Sequence, residues 1–382
     1  MTRRRFVLAA PAVFVLPARA APEDRGILVT GGQAAKLRTA ANDAVRANAA
    51  AALKAGPWSV TTHRPPDVDA GPNDYYSEGP YWWPDPKDPK APYIRKDGER
   101  NPARFMGNRT DLGNMCPAVL ALGMGAWMLG DKSCGPHANK VLSTWFLDPK
   151  TRMNPNLEYG QAVRGHNTGR GTGLIDTVSL IHTAQGVWLL EQAGMLDSGV
   201  GRGVREWFAA FTKWMTTSTK GLDEKKSGNN HMTWWTAQVA AYATLTDDAA
   251  TLKMAWEHFR GVLVPEEIQP DGSCPREEAR TNSLSYSAMN LDAFATLSRI
   301  AQTHGLDLWA PVAKGYHYLA PYILHPETWK KQQISKFSND GTYFMGLAGV
   351  GLHDDGLLAG YRALPRSASA WTQWVDLVVR AG

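Results

Sequence analysis

Apolar residues recur at helical spacing over most of the chain. Leu174, Val178, Ile181 and Trp188 are one instance, since steps of this size keep all four on one helical face. The same pattern predicts helices over residues 33–55, 112–129, 137–146, 173–193, 203–218, 231–245, 248–262, 283–303 and 307–324. Clusters of Gly, Asn, Asp and Ser punctuate them. Strand-like alternation is rare. Helical hairpins without a repeat consensus predict an all-α fold, an α/α toroid of about six to seven hairpins. An open solenoid is expected to show a clearer repeat. In a toroid the cleft lies at one end of the ring, where loops meet.

Residues 58–104 break the pattern. Pro65-Pro66, Pro72-Asn73-Asp74 and Pro84-Asp85-Pro86 forbid long helices there. Tyr75, Tyr76, Tyr81, Trp82, Trp83 and Tyr93 argue against disorder. An ordered, aromatic-rich loop packed across the cleft is therefore expected. The chain holds 15 Trp and 12 Tyr. Most would fill the core, and some suit stacking against sugar rings.

The first twenty residues read as a signal peptide. Arg3-Arg4-Arg5 precedes the apolar run from Phe6 to Leu16, and Ala18-Arg19-Ala20 has the form of a cleavage site. The start also resembles a twin-arginine export signal. This predicts a periplasmic or secreted protein, with residues 21–382 as a single domain because no linker divides them. The full chain carries +5, and the signal holds four Arg and no acid, so the mature chain is about +1. The global field therefore gives no reason to expect nucleic-acid binding. No later segment reads as membrane-spanning, so no membrane partner is expected once the signal is removed. Of the three cysteines, Cys116 and Cys134 could form a bridge in an oxidising compartment. No metal-type Cys spacing exists, and no metal or cofactor is implied.

Three helix starts carry polar side chains. In Ser227-Gly228-Asn229-Asn230-His231, cap-forming residues precede an apolar helix. Free backbone N–H groups there favour an anion, and the amides and imidazole add donors. In Arg280-Thr281-Asn282-Ser283-Leu284-Ser285-Tyr286, Asn282 or Ser283 caps a second helix and Tyr286 sits in its first turn. A nearby Arg favours the phenolate and lowers the pKa of a Tyr. The bland reading is a buried Tyr with Arg280 paired to Glu277 on the surface. The third stretch, Gly165-His166-Asn167-Thr168-Gly169-Arg170-Gly171, has the spacing of a phosphate loop but neither a preceding strand nor the lysine such a loop needs. It reads either as a surface turn or as a Gly-rich turn bringing His166, Asn167 and Arg170 to a ligand.

These groups fit β-elimination on a uronate polymer. A base removes the C5 proton, an acid protonates the leaving O4, and fixed donors neutralise the carboxylate and stabilise the enolate-like intermediate. Asn230, His231 and Arg280 suit the donor role. In mannuronate and glucuronate the C5 proton and O4 lie on one face, so a single Tyr, here Tyr286, can serve as base and then acid. His231 is carboxylate neutraliser or second base. Asn229, His166, Asn167, Arg170, Tyr81, Trp82, Trp83 and Trp235 are expected to contact substrate, an anionic polysaccharide.

The motifs resemble the alginate lyase superfamily. Ser77-Glu78-Gly79-Pro80-Tyr81-Trp82-Trp83-Pro84-Asp85-Pro86 and Pro92-Tyr93-Ile94-Arg95-Lys96-Asp97-Gly98 resemble its N-terminal signature. Asn229-Asn230-His231, Arg280 and Tyr286 resemble its active-site positions. The segment Gly169-Arg170-Gly171 to Asp176-Thr177 is more similar to polysaccharide lyase family 38 than to family 5. The resemblance spans roughly residues 60–350. It implies an α/α toroid, β-elimination on alginate or glucuronan, Tyr286 as base and acid, His231 and Asn230 on the carboxylate, and Arg280 in support.

Two rival readings remain at this level. A glycoside hydrolase would need two carboxyl groups across the scissile bond, drawn from Glu78, Asp85, Glu158 and Asp176. A non-catalytic glycan-binding protein would use the same aromatics and donors without a base.

Overall fold

The computed structural model describes residues 26–382 apart from 66, 67 and 89. Residues 1–20, expected to be a signal peptide, lie outside the described residues. The helices are α1 (Gly31–Arg38), α2 (Asp43–Ala52), α3 (Gly107–Leu129), α4 (Cys134–Leu142), α5 (Leu180–Gln192), α6 (Ser198–Thr217), α7 (Thr219–Glu224) and α8 (Asn230–Leu245). They continue with α9 (Ala249–His258), α10 (Val264–Glu267), α11 (Pro275–Glu278), α12 (Ser283–Thr303), α13 (Ala313–Leu324), α14 (Phe344–Leu352), α15 (Asp355–Ala363) and α16 (Ala370–Ala381). Among the described residues, four short strands, β1 (Tyr76–Glu78), β2 (Trp82–Trp83), β3 (Ile94–Arg95) and β4 (Tyr159–Ala162), form two small ribbons. β1 pairs with β4 in parallel, and β2 with β3 antiparallel.

The α/α toroid closes through contacts between successive inner helices. α3 packs on α5, α5 on α8, α8 on α12, α12 on α14, α14 on α16, and α16 back on α3. Helices such as α5, α8 and α12 are buried over nearly their whole circumference, as expected for helices that are apolar all round. α4, α6, α9, α13 and α15 lie outside this ring and bury one stripe each. By length and composition α3 could cross a membrane, contrary to the reading of the sequence. In the fold, 78% of its most apolar window is buried inside the protein.

The helix boundaries depart from expectation in instructive places. The predicted helix 33–55 is two helices: α1 ends at Arg38, and Asn42 caps α2 through the Val45 amide. The predicted helix 173–193 begins as a 3-10 turn, Gly171–Thr177, before α5. α14, α15 and α16 were not anticipated. Cys116 and Cys134 are free, buried thiols, as is Cys274. Cys116 on α3 faces Thr183 of α5, whereas the Cys134 sulfur lies against Gly125, so the two face different neighbours.

The backbones of α3 and α5 approach each other closely. A Cβ on Gly186 would sit 2.7 Å from the Val119 carbonyl oxygen, and one on Gly123 2.8 Å from that of Gly186. Gly186→Ala should therefore force the two helices apart. A loss of roughly 1–3 kcal/mol is expected for such overpacking. A lowered Tm in a circular-dichroism melt, with helix content retained, is the expected readout, and an unchanged Tm would show that the contact has slack.

Candidate active site

The long loop and the ends of the inner helices meet at one rim. Arg109 in the first turn of α3 pairs with Asp176 in the 3-10 turn before α5 at 2.7 Å. Asp176 also accepts from Ser77 at 2.6 Å and Gln161 at 3.0 Å, tying β1 and β4 to the same place.

Asn229 caps α8, its side chain accepting from the His231 amide at 3.0 Å. Its carbonyl is thus spent on the helix. Every residue of α8 is buried except His231. Asn230 turns inward to Glu277 of α11. Its backbone N–H donates to Oε1 at 2.5 Å, and its side-chain amide donates to the two carboxylate oxygens at 3.0 and 2.8 Å. The expected role of Asn230 as a free donor to substrate is therefore corrected: its NH₂ is engaged. Glu277 is 1% exposed, so the surface pair with Arg280 does not form. Burial pushes the Glu277 carboxyl above its ordinary pKa, against the hydrogen bonds from Asn230 and the charges of Arg280 and His231.

His231 gives Nδ1 to Glu224 of α7 at 2.6 Å. Burial favours the neutral ring, but the charge and hydrogen bond of Glu224, with the charge of Glu277, hold the imidazole above its ordinary pKa. His231 also senses the Arg280 charge, which links the α8 start to the α12 start.

Tyr286 lies in the first turn of α12. The predicted cap is corrected here: neither Asn282 nor Ser283 caps the helix through its side chain. Gln333 does so from a distant loop, accepting from the Leu284 and Ser285 amides at 3.1 and 3.4 Å. The Arg280 guanidinium stacks 3.9 Å from the Tyr286 ring centroid. It is held there by Asp97 of the long loop, at 2.8 and 3.2 Å. The Tyr286 hydroxyl shares a hydrogen bond with that of Tyr81. The expectation of a lowered phenol pKa is corrected: burial and Tyr81 raise it well above the usual range, outweighing Arg280. Tyr286 rests as a neutral phenol.

The third stretch joins the rim less uniformly. Arg170 donates to the Gln161 carbonyl at 3.1 Å and side chain at 2.9 Å, and stands 5.9 Å from the Trp82 ring centroid. His166 contacts Trp82 with a centroid distance of 4.9 Å and bonds to the Tyr93 carbonyl at 2.8 Å. Asn167 is exposed and pairs through its backbone with Val163. Trp83 donates to the Glu99 carbonyl at 3.0 Å beneath Lys96. Trp235 is a clear correction. It is fully buried and donates to the Met215 carbonyl at 3.3 Å, because one turn past His231 the helix faces the core.

Sequence reasoning missed Glu224, Asp97 and Arg104. The Arg104 Nε is buried without a protein partner. Burial, then repulsion from Arg109 and Arg100, lowers the pKa of this guanidinium, and it feels Tyr81. Only Asp97 lay in a quoted motif. Among the described residues no group of three or more His, Cys, Asp or Glu could hold a metal ion.

The carboxylates of a hydrolase are otherwise engaged. Asp176 is tied as above. Glu78 accepts from Arg164 at 2.9 Å and the Phe105 amide at 2.7 Å, and Glu158 from Lys220 and Trp214 at 2.7 Å each. Asp85 accepts from the Lys87 amide in an exposed turn.

A sequence model of a known family, described as alginate lyase, matches residues 59–329. A crystal structure of an alginate lyase from Bacteroides ovatus is 32% identical, covering 93% of this chain and 98% of that one, with a TM-score of 0.83. The chain belongs to the alginate lyase family. Two further structures show the fold alone. A variant of alginate lyase A1-III complexed with a tetrasaccharide is 15% identical, covering 92% of this chain and 95% of that one, with a TM-score of 0.62. Alginate lyase A1-III from Sphingomonas species A1 is 16% identical over the same shares, with a TM-score of 0.60. No curated protein sequence matches the chain.

Family membership makes the chain a polysaccharide lyase and directs attention to how the loop reaches the rim. Asp97 is the hinge of that contact. Burial would raise its pKa, but hydrogen bonds from Arg280 and Thr281 and the Arg280 charge prevail and hold it at about 2, below the ordinary 3.8. A depressed acid pKa stabilises the fold above the unfolded value and loses that stability as pH falls through the folded value. The loop contact should therefore weaken between about pH 4 and pH 2. Asp97→Asn should mimic this at neutral pH, raising hydrogen exchange in residues 76–104 while α8 and α12 stay protected. Unchanged exchange in that segment would show that Asp97 does not hold the loop.

Proposed function

We propose that the protein cleaves a 1,4-linked uronate polymer by β-elimination, acting on mannuronate stretches of alginate or on glucuronan. The observation that carries this is the Tyr286 phenol, stacked under Arg280 and hydrogen-bonded to Tyr81 of the loop, at the rim that also holds His231. In this reading Tyr286, as phenolate, takes the C5 proton and returns it to O4. The Arg280 cation stabilises the phenolate while it exists. The imidazolium of His231, through Nε2, neutralises the C5 carboxylate. Arg170 and Arg104 supply further positive charge, and Trp82 with His166 offers a stacking surface. Asn230 supports the site through Glu277. Because C5–H and O4 lie on one face in mannuronate and glucuronate, one Tyr suffices for both proton transfers.

The family match and the 32% identical alginate lyase support the substrate class. The engaged states of Glu78, Asp85, Glu158 and Asp176 weigh against a hydrolase. The basic, apolar start of the chain supports action outside the cytoplasm.

Tyr286→Phe removes only the hydroxyl. Turnover should fall by about 10²–10⁴-fold, the usual contribution of general acid–base catalysis, with polymer binding retained. The measurement is the ultraviolet absorbance of the C4–C5 double bond in the products. Full activity in this variant would exclude Tyr286 as base. A panel of polymannuronate, polyguluronate and glucuronan read the same way should show cleavage of the first or third ahead of polyguluronate, whose C5 configuration is opposite.

A further inference from the structure

Polar residues that β-elimination does not directly use lie behind the site, and one is built tightly against a reacting group. Glu224 ends α7 with its side chain 1% exposed. Oε1 lies 2.6 Å from His231 Nδ1, and Oε2 is buried without a protein hydrogen-bond partner. The backbone places it deliberately close. A Cβ on Gly171 would meet the Lys220 carbonyl oxygen at 2.6 Å and the Glu224 amide at 3.1 Å, so the 3-10 turn accepts α7 only where the side chain is a hydrogen. Glu224 and His231 are seven positions apart in the chain. The turn between them passes through Gly228 at φ +71°, a left-handed conformation that favours glycine.

A buried carboxylate with one unpaired oxygen is costly unless a cation neutralises it. The charged groups that bear on this pair are Glu277 of α11, Arg280 before α12, and Arg170 before the 3-10 turn. Arg170 donates to Gln161 and Arg280 to Asp97, whereas His231 is bonded to Glu224 itself. We propose that Glu224 is a positioning residue that fixes His231 as an imidazolium with Nε2–H directed to the substrate carboxylate, so that His231 serves as a fixed cation and not as a second base. This deepens the proposed reaction and rests on it for the substrate group that Nε2 meets. The raised pKa of His231 agrees with it.

The pH dependence of kcat/KM separates the two roles, because it reports groups in the free enzyme. If the active form pairs a Tyr286 phenolate with a His231 cation, the rate rises with pH up to the His231 pKa and is then level until Tyr286 ionises. Glu224→Gln lowers the His231 pKa and leaves the groups around Tyr286 in place. The rising limb should then level off at lower pH, and the plateau should fall about 10-fold for each pH unit of that shift. Rates on the acid limb should match wild type. If His231 acted as a neutral base, the same substitution would leave the plateau unchanged and raise the acid-limb rates, which would overturn the proposal. An unshifted profile would overturn it too.

Imidazole-nitrogen NMR of the wild-type protein, with His231 assigned by comparison with His231→Gln, provides a test that survives a misfolded variant. Both ring nitrogens of His231 should be protonated at pH 7. A neutral ring at that pH would defeat the proposal. This arm uses no substrate. A wild-type protein inactive on every uronan would count against the proposed reaction, and the NMR result would still decide what Glu224 does to His231.

Discussion

A helix buried on all sides can offer polar chemistry to solvent only at its ends. That constraint governs this protein. Closure of the ring from α3 through α16 and back to α3 hides nearly all of α5, α8 and α12. Their backbone groups are satisfied internally except in the first and last turns. The candidate site side chains accordingly gather at the first turns of α8 and α12 and at the 3-10 turn before α5. The same closure explains why Trp235, one turn into α8, is core and not cleft.

At the rim, charge is arranged in alternation. Glu224 faces His231, Glu277 faces Asn230, and Asp97 faces Arg280. Each of these three groups has a carboxylate behind it that sets its orientation or charge state. Tyr286 differs, since its nearest neighbours are a cation over the ring and a second phenol at the hydroxyl. Burial keeps it protonated at rest. In the proposed reaction its phenolate would depend on Arg280, and Arg280 is held by Asp97. The long loop thus holds the cation stacked on Tyr286, and under the proposed reaction one ion pair would couple loop docking to catalysis.

The carboxylates considered for hydrolysis show the value of asking what each charge is bonded to. Asp176 and Glu78 are buried near the cleft, where a catalytic acid would be expected. Both are consumed in anchoring the aromatic loop, through Ser77, Gln161 and Arg109 for one and through Arg164 and the Phe105 amide for the other. They build the wall of the site.

The helical class, the interruption at residues 58–104 and the polar starts of α8 and α12 are legible in the sequence, because periodicity, proline and capping chemistry act over a few residues. Asn229 capping α8 is local in this sense and was legible. The family motifs pointed to Tyr286, Arg280 and His231 together. Which partner each of these side chains meets depends on how the helices and loop come together in the fold. Asp97 and Arg280 are 183 residues apart in the chain, and Tyr81 and Tyr286 are 205 apart. Whether Tyr286 rests as phenol, whether His231 is a cation and whether Asn230 is free to donate follow from burial and from partners on other elements, and neither has a signature in local spacing. The same holds for Gln333 in place of a local cap on α12, and for Cys116 and Cys134, whose separation is set by which helices they face.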